Sequence, residues 1–245
     1  MKINRLKYKI IYCIISLLLS TNISYAEFKD IDPLEGINRP IFAFNTVFDK
    51  IILVPIATIY RDIIPDIIKI PLENIVLQIK YPISSVNYAL QGKWDLSMHS
   101  LKKLSTNMIL TLGTGHIKLD EEIDKNYKYT NFNTTLNLQN VESGPYIVLP
   151  ILGGSSVRGA ISKLVDTNFI PLNKKLKTNI SITNAVIQRS YYIDKLDTLE
   201  KTSVDYYAAV RNIIMQVDSQ AGNKEPETHS IEDFDFSDDE ELDFK

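Results

Sequence analysis

Residues that could carry covalent chemistry are sparse in this 245-residue chain. Two serines follow two glycines in Gly153-Gly-Ser-Ser-Val157, which does not match the Gly-x-Ser-x-Gly turn that exposes a nucleophilic serine. The histidines are His99, His116 and His229. A Ser-His-Asp hydrolase built on Ser155 or Ser156 is therefore an alternative without a matching motif. We expect His99 on a helix face and His229 in the tail, and surface or loop positions are the alternative to a catalytic role for the histidines.

The sequence also contains no motif that indicates a metal, nucleotide or nucleic-acid binding site. The single cysteine is Cys13, and the acids of the C-terminal tail do not have the spacing of a calcium loop. Gly113-x-Gly115 is too short for a phosphate-binding loop. The net charge of −3 gives no basic footprint for nucleic acid. We therefore expect no cofactor, no metal site and no nucleic-acid partner.

Residues that typically begin, cap or interrupt helices are most frequent between Asp32 and Asn45. Asp32 is predicted to cap a first helical turn that contains Pro33, and Asn38 to cap a second helix ahead of Pro40. Gly36 should interrupt the chain between the two caps, and Arg39 can pair with Glu35 four residues earlier. The main helix is then expected to run from Ile41 to Val54, with a second short helix between Pro55 and Pro65.

This main helix has an unusual distribution of polarity. At 100° per residue, its polar side chains fill a sector of only about 140°, and the rest of the circumference is apolar. Those polar residues are Asn45, Thr46, Asp49 and Lys50. A surface helix of a soluble protein buries a narrower stripe, so the pattern predicts a deep core or a bilayer interface around this helix.

The same stretch resembles the opening signature of the MlaA (VacJ) family. The matching residues are Asp32, Pro33, Leu34, Glu35, Gly36, Asn38, Arg39, Pro40, Ile41, Phe42, Phe44 and Asn45. Further similarity covers roughly residues 32–216 and includes Gly144, Pro145, Tyr146, Pro150 and Arg158, and the segment from Ser203 to Arg211. The resemblance implies an all-α fold in which amphipathic helices form a ring around an amphipathic channel in the outer membrane.

The family resemblance also implies a function. It implies non-enzymatic transport of phospholipid that is misplaced in the outer leaflet, beside a trimeric porin and toward a soluble periplasmic carrier. A conduit for such an amphiphile needs an apolar wall and a polar strip. The candidates are Asn45, Asp49, Arg61 and Asp62 for the head-group side, and Phe42, Phe44, Phe48 and Ile52 for acyl chains or bilayer. Ordinary core packing is the alternative for each aromatic residue, and a porin-bound scaffold without lipid passage is the alternative function.

One segment departs from the family pattern. Residues 131–154 are predicted to form a loop or a small hairpin, with Gly144-Pro145 as its turn. Three asparagines, at 133, 137 and 140, stand where the resemblance implies glycines. Asparagine tolerates positive φ better than other residues with a side chain, so we expect these positions to keep a turn geometry.

The chain divides into three expected parts. Residues 1–26 read as a secretory signal peptide with four basic residues before an apolar run, residues 27–217 as the helical domain, and residues 218–245 as a disordered acidic tail. Tyr12 precedes Cys13, where a lipoprotein signal needs a small residue. We therefore predict a mature protein that begins at Glu27 without an acyl chain. Mass spectrometry of the mature N-terminus tests this, and an acylated cysteine there would contradict it.

Overall fold

The computed structural model describes residues 32–221, without the side chains of Lys125 and Asn126. The predicted signal peptide and the residues beyond 221 lie outside this range. The predicted mostly helical fold with one small hairpin is confirmed. The elements are α1 (Glu35–Phe48), a π-helical turn (Asp49–Leu53), α2 (Val54–Asp62), α3 (Asp66–Gln78), α4 (Lys80–Leu90), α5 (Trp94–Thr111), α6 (Glu121–Asn126), α7 (Phe132–Leu138), β1 (Tyr146–Leu149), β2 (Gly153–Ser156), α8 (Val157–Phe169), α9 (Lys174–Tyr191), α10 (Ile193–Thr202) and α11 (Tyr206–Gln220). Because α11 passes residue 217, the helical domain extends beyond its predicted boundary.

The first helix is longer and less interrupted than predicted. Helical structure runs from Glu35 to Asp62, through Gly36 and Pro40. Pro55 lies in the first turn after the π-helical segment, where the chain has left regular α-helical hydrogen bonding. The two predicted caps are wrong, because Leu34 is the N-cap without a side-chain hydrogen bond. Asp32 and Asn38 instead use their side chains in contacts with distant segments.

The hairpin lies within the predicted segment, but its turn is elsewhere. β1 pairs with β2 in antiparallel register, from Tyr146 opposite Ser156 to Leu149 opposite Gly153. The turn is therefore at residues 150–152, where Ile151 has a φ of 67°. Gly144-Pro145 comes before β1, so the prediction of a turn there is wrong. The hydrogen bond from the Val157 N–H to the Pro145 carbonyl shows that this dipeptide aligns the two ends of the hairpin.

Two of the three asparagines do not act as glycine substitutes. Asn133 and Asn137 lie in α7, which replaces part of the predicted loop. Asn140 has a φ of 60°, as expected for a left-handed turn residue. The side chains of Asn133 and Asn137 donate instead to Asp218 and to the backbone at the end of α11.

Polar side chains are unusually common in the interior of residues 32–221. Buried serine, threonine and asparagine side chains are frequent, and two small apolar clusters form around Tyr60 and around Tyr146. Large apolar side chains point outward instead. Those more than half exposed on α1 to α3 are Ile37, Phe44, Val47, Ile51, Ile59, Ile63, Ile67 and Ile70. This arrangement is the reverse of a soluble domain.

α5 repeats the reversed pattern on a second surface. Its outward stripe contains Trp94, Met98, Met108 and Ile109, which are between 47% and 77% exposed. Its inward residues are Ser97, His99, Ser100, Lys103 and Asn107. Among residues 32–221, one helical stretch is long and apolar enough to cross a membrane: residues 35–62, which contain an 18-residue window with a mean hydropathy of 1.6 and 6% of its residues buried.

Candidate functional site

The polar stripe of the long helix faces the rest of the protein. The Asn38 side chain donates to the Tyr146 carbonyl at 3.1 Å and accepts from the Val148 N–H at 2.9 Å. One amide side chain thus satisfies both backbone groups that a neighbouring strand would otherwise bind. Two turns later, Asn45 donates to the Leu149 carbonyl and accepts from the Ile151 N–H, at 2.9 and 2.8 Å. The two asparagines therefore hold β1 and its turn against α1.

Charged side chains continue this stripe toward the end of α2. Arg189 of α9 donates to both carboxylate oxygens of Asp49, at 2.9–3.1 Å. Arg61 contacts Asp62 at 2.8 Å and Asp194 of α10 at 3.1 Å. Polar and charged contacts therefore attach the long helix to its neighbours, and the apolar faces stay available to the surroundings.

The predicted apolar candidates separate into two groups. Phe42 packs inward, with its ring centroid 5.4 Å from Tyr206 and 5.3 Å from Tyr207. Phe44 is 55% exposed and stacks on Phe48 at 6.5 Å, and Ile52 is 44% exposed. Phe44 and Ile52 thus lie on the outer face, whereas Phe42 belongs to the apolar cluster around Tyr146.

Asp32 joins the start of α1 to α11. It is 3% exposed, accepts a hydrogen bond from Asn38 at 2.7 Å and accepts a second from the Tyr207 hydroxyl. The Arg39 guanidinium lies 4.5 Å from the Tyr207 ring centroid and pairs with Asp205. The pair predicted between Arg39 and Glu35 is present at 2.6 Å. These contacts fix the two ends of the described chain to one another.

Asn38 is the centre of this arrangement, so its removal should be costly. We predict that Asn38→Ala lowers the thermal unfolding midpoint measured by circular dichroism in detergent. It leaves two buried backbone groups and one Asp32 oxygen without their partner, at roughly 1–3 kcal/mol for each unsatisfied group. Asn212→Ala, at an exposed position of α11, is the matched control and should change the midpoint little. Equal midpoints for the two variants would contradict the role given to Asn38.

Comparisons with known proteins match the part of the chain that contains these residues. The family model described as MlaA lipoprotein matches residues 30–221. The chain belongs to the MlaA lipoprotein family. It is 31% identical over 193 residues to the intermembrane phospholipid transport system lipoprotein MlaA of Escherichia coli K12, covering 76% of each chain. An uncharacterised protein of Rickettsia typhi is 32% identical over 189 residues, covering 75% of this chain and 74% of that protein.

A solved structure supports the same MlaA fold. It comes from work described as the structural basis for maintenance of bacterial outer membrane lipid asymmetry, and its TM-score against this chain is 0.65. The sequence identity is 28%, over 78% of this chain and 98% of the solved chain. The MlaA-like segment at the start of α1 therefore has a structural role in this chain. The contacts of Asp32, Asn38 and Arg39 hold α1, the hairpin and α11 together.

Arg158 lies at the centre of a buried network that the sequence did not predict. Its guanidinium contacts Asp218 of α11 at 3.0 Å, and both side chains are less than one-tenth exposed. It also donates to Asn133 of α7 at 2.9 Å and to the Val141 carbonyl. The sequence pattern does not predict this pair, because Asp218 falls at the beginning of the predicted acidic tail.

A third buried network contains His99, which lies on a helix face as predicted, but on the buried face of α5 and not at the surface. His99 is 5% exposed, and its ring lies 2.8 Å from Asp124. Lys103 contacts the same carboxylate at 2.8 Å and donates to the Ile117 carbonyl at 2.9 Å. Burial alone raises the pKa of Asp124, but hydrogen bonds from Lys103, the Leu119 N–H and His99 lower it to about 2. This network attaches the segment after α5 to the helix itself.

Proposed function

We propose that this MlaA-family chain transports phospholipid at the outer membrane without covalent chemistry. Its outward apolar faces lie in the bilayer, and its polar interior supports the lipid's polar end. The observation that carries the proposal is the reversed polarity of the helix from Glu35 to Asp62. Its polar side chains bind the protein, and the large apolar side chains of its outer face, such as Phe44, Val47 and Ile51, stay exposed. Lipid is the medium in which such an exposed surface is stable.

The proposed direction of lipid transport and the proposed protein partners rest on the similarity to the MlaA family. The Escherichia coli relative is named for an intermembrane phospholipid transport system, and the similar structure is described in terms of outer membrane lipid asymmetry. We propose that the present chain likewise removes phospholipid misplaced in the outer leaflet. It would pass the lipid to a soluble periplasmic carrier while it lies beside a trimeric porin, in a ring-like arrangement of its helices.

The individual conduit assignments differ in what supports them. Phe44 and Ile52 point outward and suit contact with acyl chains or bilayer. Asn45 already binds the hairpin, and Asp49 already binds Arg189. A lipid head group would therefore have to share these side chains with their present partners. Arg61 and Asp62, at the end of α2, are one-third and one-half exposed and are better placed to meet a polar head group.

Native mass spectrometry of the full chain tests the proposal. The protein is purified from bilayer nanodiscs of phosphatidylethanolamine and phosphatidylglycerol, with empty nanodiscs as the control. We expect intact phospholipid bound to the protein. A protein without bound lipid that still captures a trimeric porin would favour the scaffold alternative. Conversion of labelled phospholipid to lysophospholipid, abolished by Ser156→Ala, would favour the hydrolase, although Ser156 in this structure caps α8.

A further inference from the structure

A cleft of about 190 Å³ opens between α2, α3, α9 and α10. Two cations, two carboxylates and two tyrosines contribute to its walls: Tyr60, Arg61, Lys69, Glu73, Tyr191 and Asp194. The formal charges of these side chains cancel. A site of this composition suits a ligand that carries one positive and one negative group and no net charge.

The positive side of the cleft can receive a phosphate. Arg61 binds Asp62 through Nε and Nη2, at 2.8 and 3.4 Å, and binds Asp194 through Nη1 at 3.1 Å. The Asp194 side chain is 88% exposed, so water screens this pair and a phosphate can displace Asp194 from Nη1. Lys69 donates to the Arg61 carbonyl at 2.7 Å and lies 3.8 Å from Asp66. Its ammonium group has three donors, which leaves capacity for a phosphate oxygen. A planar guanidinium beside an ammonium matches the oxygens of a phosphodiester.

The negative side of the cleft can receive an ammonium group. Glu73 accepts hydrogen bonds from the Tyr60 hydroxyl at 3.0 Å and from the Tyr191 hydroxyl at 2.7 Å, both on Oε1. Within residues 32–221, neither tyrosine donates to the second carboxylate oxygen of Glu73, Oε2. The Tyr60 ring faces Lys69, whose Nζ lies 5.9 Å from its centroid. The Glu73 carboxylate is therefore the group that would hold a ligand ammonium, through a charge-assisted hydrogen bond.

We propose that this cleft binds the phosphoethanolamine head group of a membrane phospholipid. Arg61 and Lys69 hold the phosphate, and Glu73 and Asp194 hold the ammonium. This inference rests on the proposed function and adds a head-group class to it. The lipid source follows from the surroundings, because Ile59 and Ile63 on either side of Arg61 are 51% and 69% exposed. An anionic phosphatidylglycerol offers no cation to Glu73 and is therefore bound less well.

Competition between the two lipids tests the inference. The full chain is placed in nanodiscs with equal amounts of phosphatidylethanolamine and phosphatidylglycerol of the same acyl chains, and native mass spectrometry gives the ratio retained. We expect wild type to prefer phosphatidylethanolamine, and Glu73→Gln to reduce that preference about tenfold, since one charged hydrogen bond is lost. Glutamine keeps an oxygen for the two tyrosine hydroxyls. Asp194→Asn should act in the same direction, and its exposed position keeps the fold intact.

The possible results distinguish a wrong head-group assignment from a wrong proposed function. Glu142→Gln makes the same change of charge at an exposed position outside the cleft and should keep the wild-type ratio. Equal retention of the two lipids by wild type, or a preference that survives both cleft variants, would overturn the head-group assignment while leaving lipid transport standing. Soluble glycerophosphoethanolamine that binds as tightly as the lipid would also overturn it. Absence of any bound lipid would instead contradict the proposed function itself.

Discussion

Replacing Phe44 by aspartate is expected to release the protein from membranes. The Phe44 ring is 55% exposed on the outer face of α1 and stacks on Phe48. Loss of a phenylalanine from an apolar environment costs roughly 1.5–3 kcal/mol. An aspartate at bilayer depth adds roughly 2.5–3.5 kcal/mol on insertion scales. Flotation of the purified protein with phospholipid vesicles measures the effect, and cells that carry Phe44→Asp should become sensitive to detergent.

The control for this prediction places the same residue on a polar surface. Asn212→Asp introduces an aspartate at an exposed position of α11, where Arg211 already contacts the Asn212 side chain. This variant should float with vesicles as wild type does. If Phe44→Asp floats equally well and complements equally well in cells, the outer face of α1 does not lie in lipid.

Replacing Arg158 by methionine is expected to cause a large loss of stability. The guanidinium joins α8 to α7 and to the last turn of α11, with contacts to Asn133 and Asp218. Methionine would leave the buried Asp218 carboxylate without its cation, which typically costs roughly 3–5 kcal/mol. For a domain of this size the unfolding midpoint should fall on the order of 10 °C. Circular dichroism in detergent measures it.

Two further variants identify the cause of that loss. The double variant Arg158→Met, Asp218→Leu should recover part of the midpoint, because the uncompensated charge is removed together with its partner. Lys201→Gln breaks an exposed pair with Asp197 and should change the midpoint far less. A double variant that is less stable than Arg158→Met alone would show that packing around Arg158, and not its charge, holds these helices.

The sequence predicted the amphipathic pattern of the first helix but not its orientation. Periodicity places Asn45 and Asp49 on one stripe and Phe44 on another, and the structure keeps that division. Periodicity cannot tell which medium surrounds a helix, so the sequence alone predicts a lipid head group as the partner of the polar stripe. In the structure it binds the hairpin backbone and Arg189 of α9, partners that are more than 100 residues away along the chain.

Predictions made from neighbouring residues alone are wrong where a side chain binds a partner that is distant in the sequence. Asp32 and Asn38 have the residue types of helix caps, and they would serve as caps in an isolated peptide. Here Tyr207 and the backbone of β1 use the same polar atoms, so the helix starts at Glu35 without a side-chain cap. Gly92, by contrast, follows α4 with a φ of 75°, because a left-handed turn depends on the residue itself.

Fluorescence from the middle of the long helix tests the central claim most directly. Trp94 is the single tryptophan of the chain, so a variant with Trp94→Phe and Ile51→Trp reports from one outward position that is 69% exposed in the wild type. In vesicles of phosphatidylethanolamine and phosphatidylglycerol, the account predicts blue-shifted emission that brominated acyl chains quench and aqueous iodide does not. Red-shifted emission that iodide quenches and brominated lipid leaves unchanged would show that this face lies in water, contrary to the proposed function.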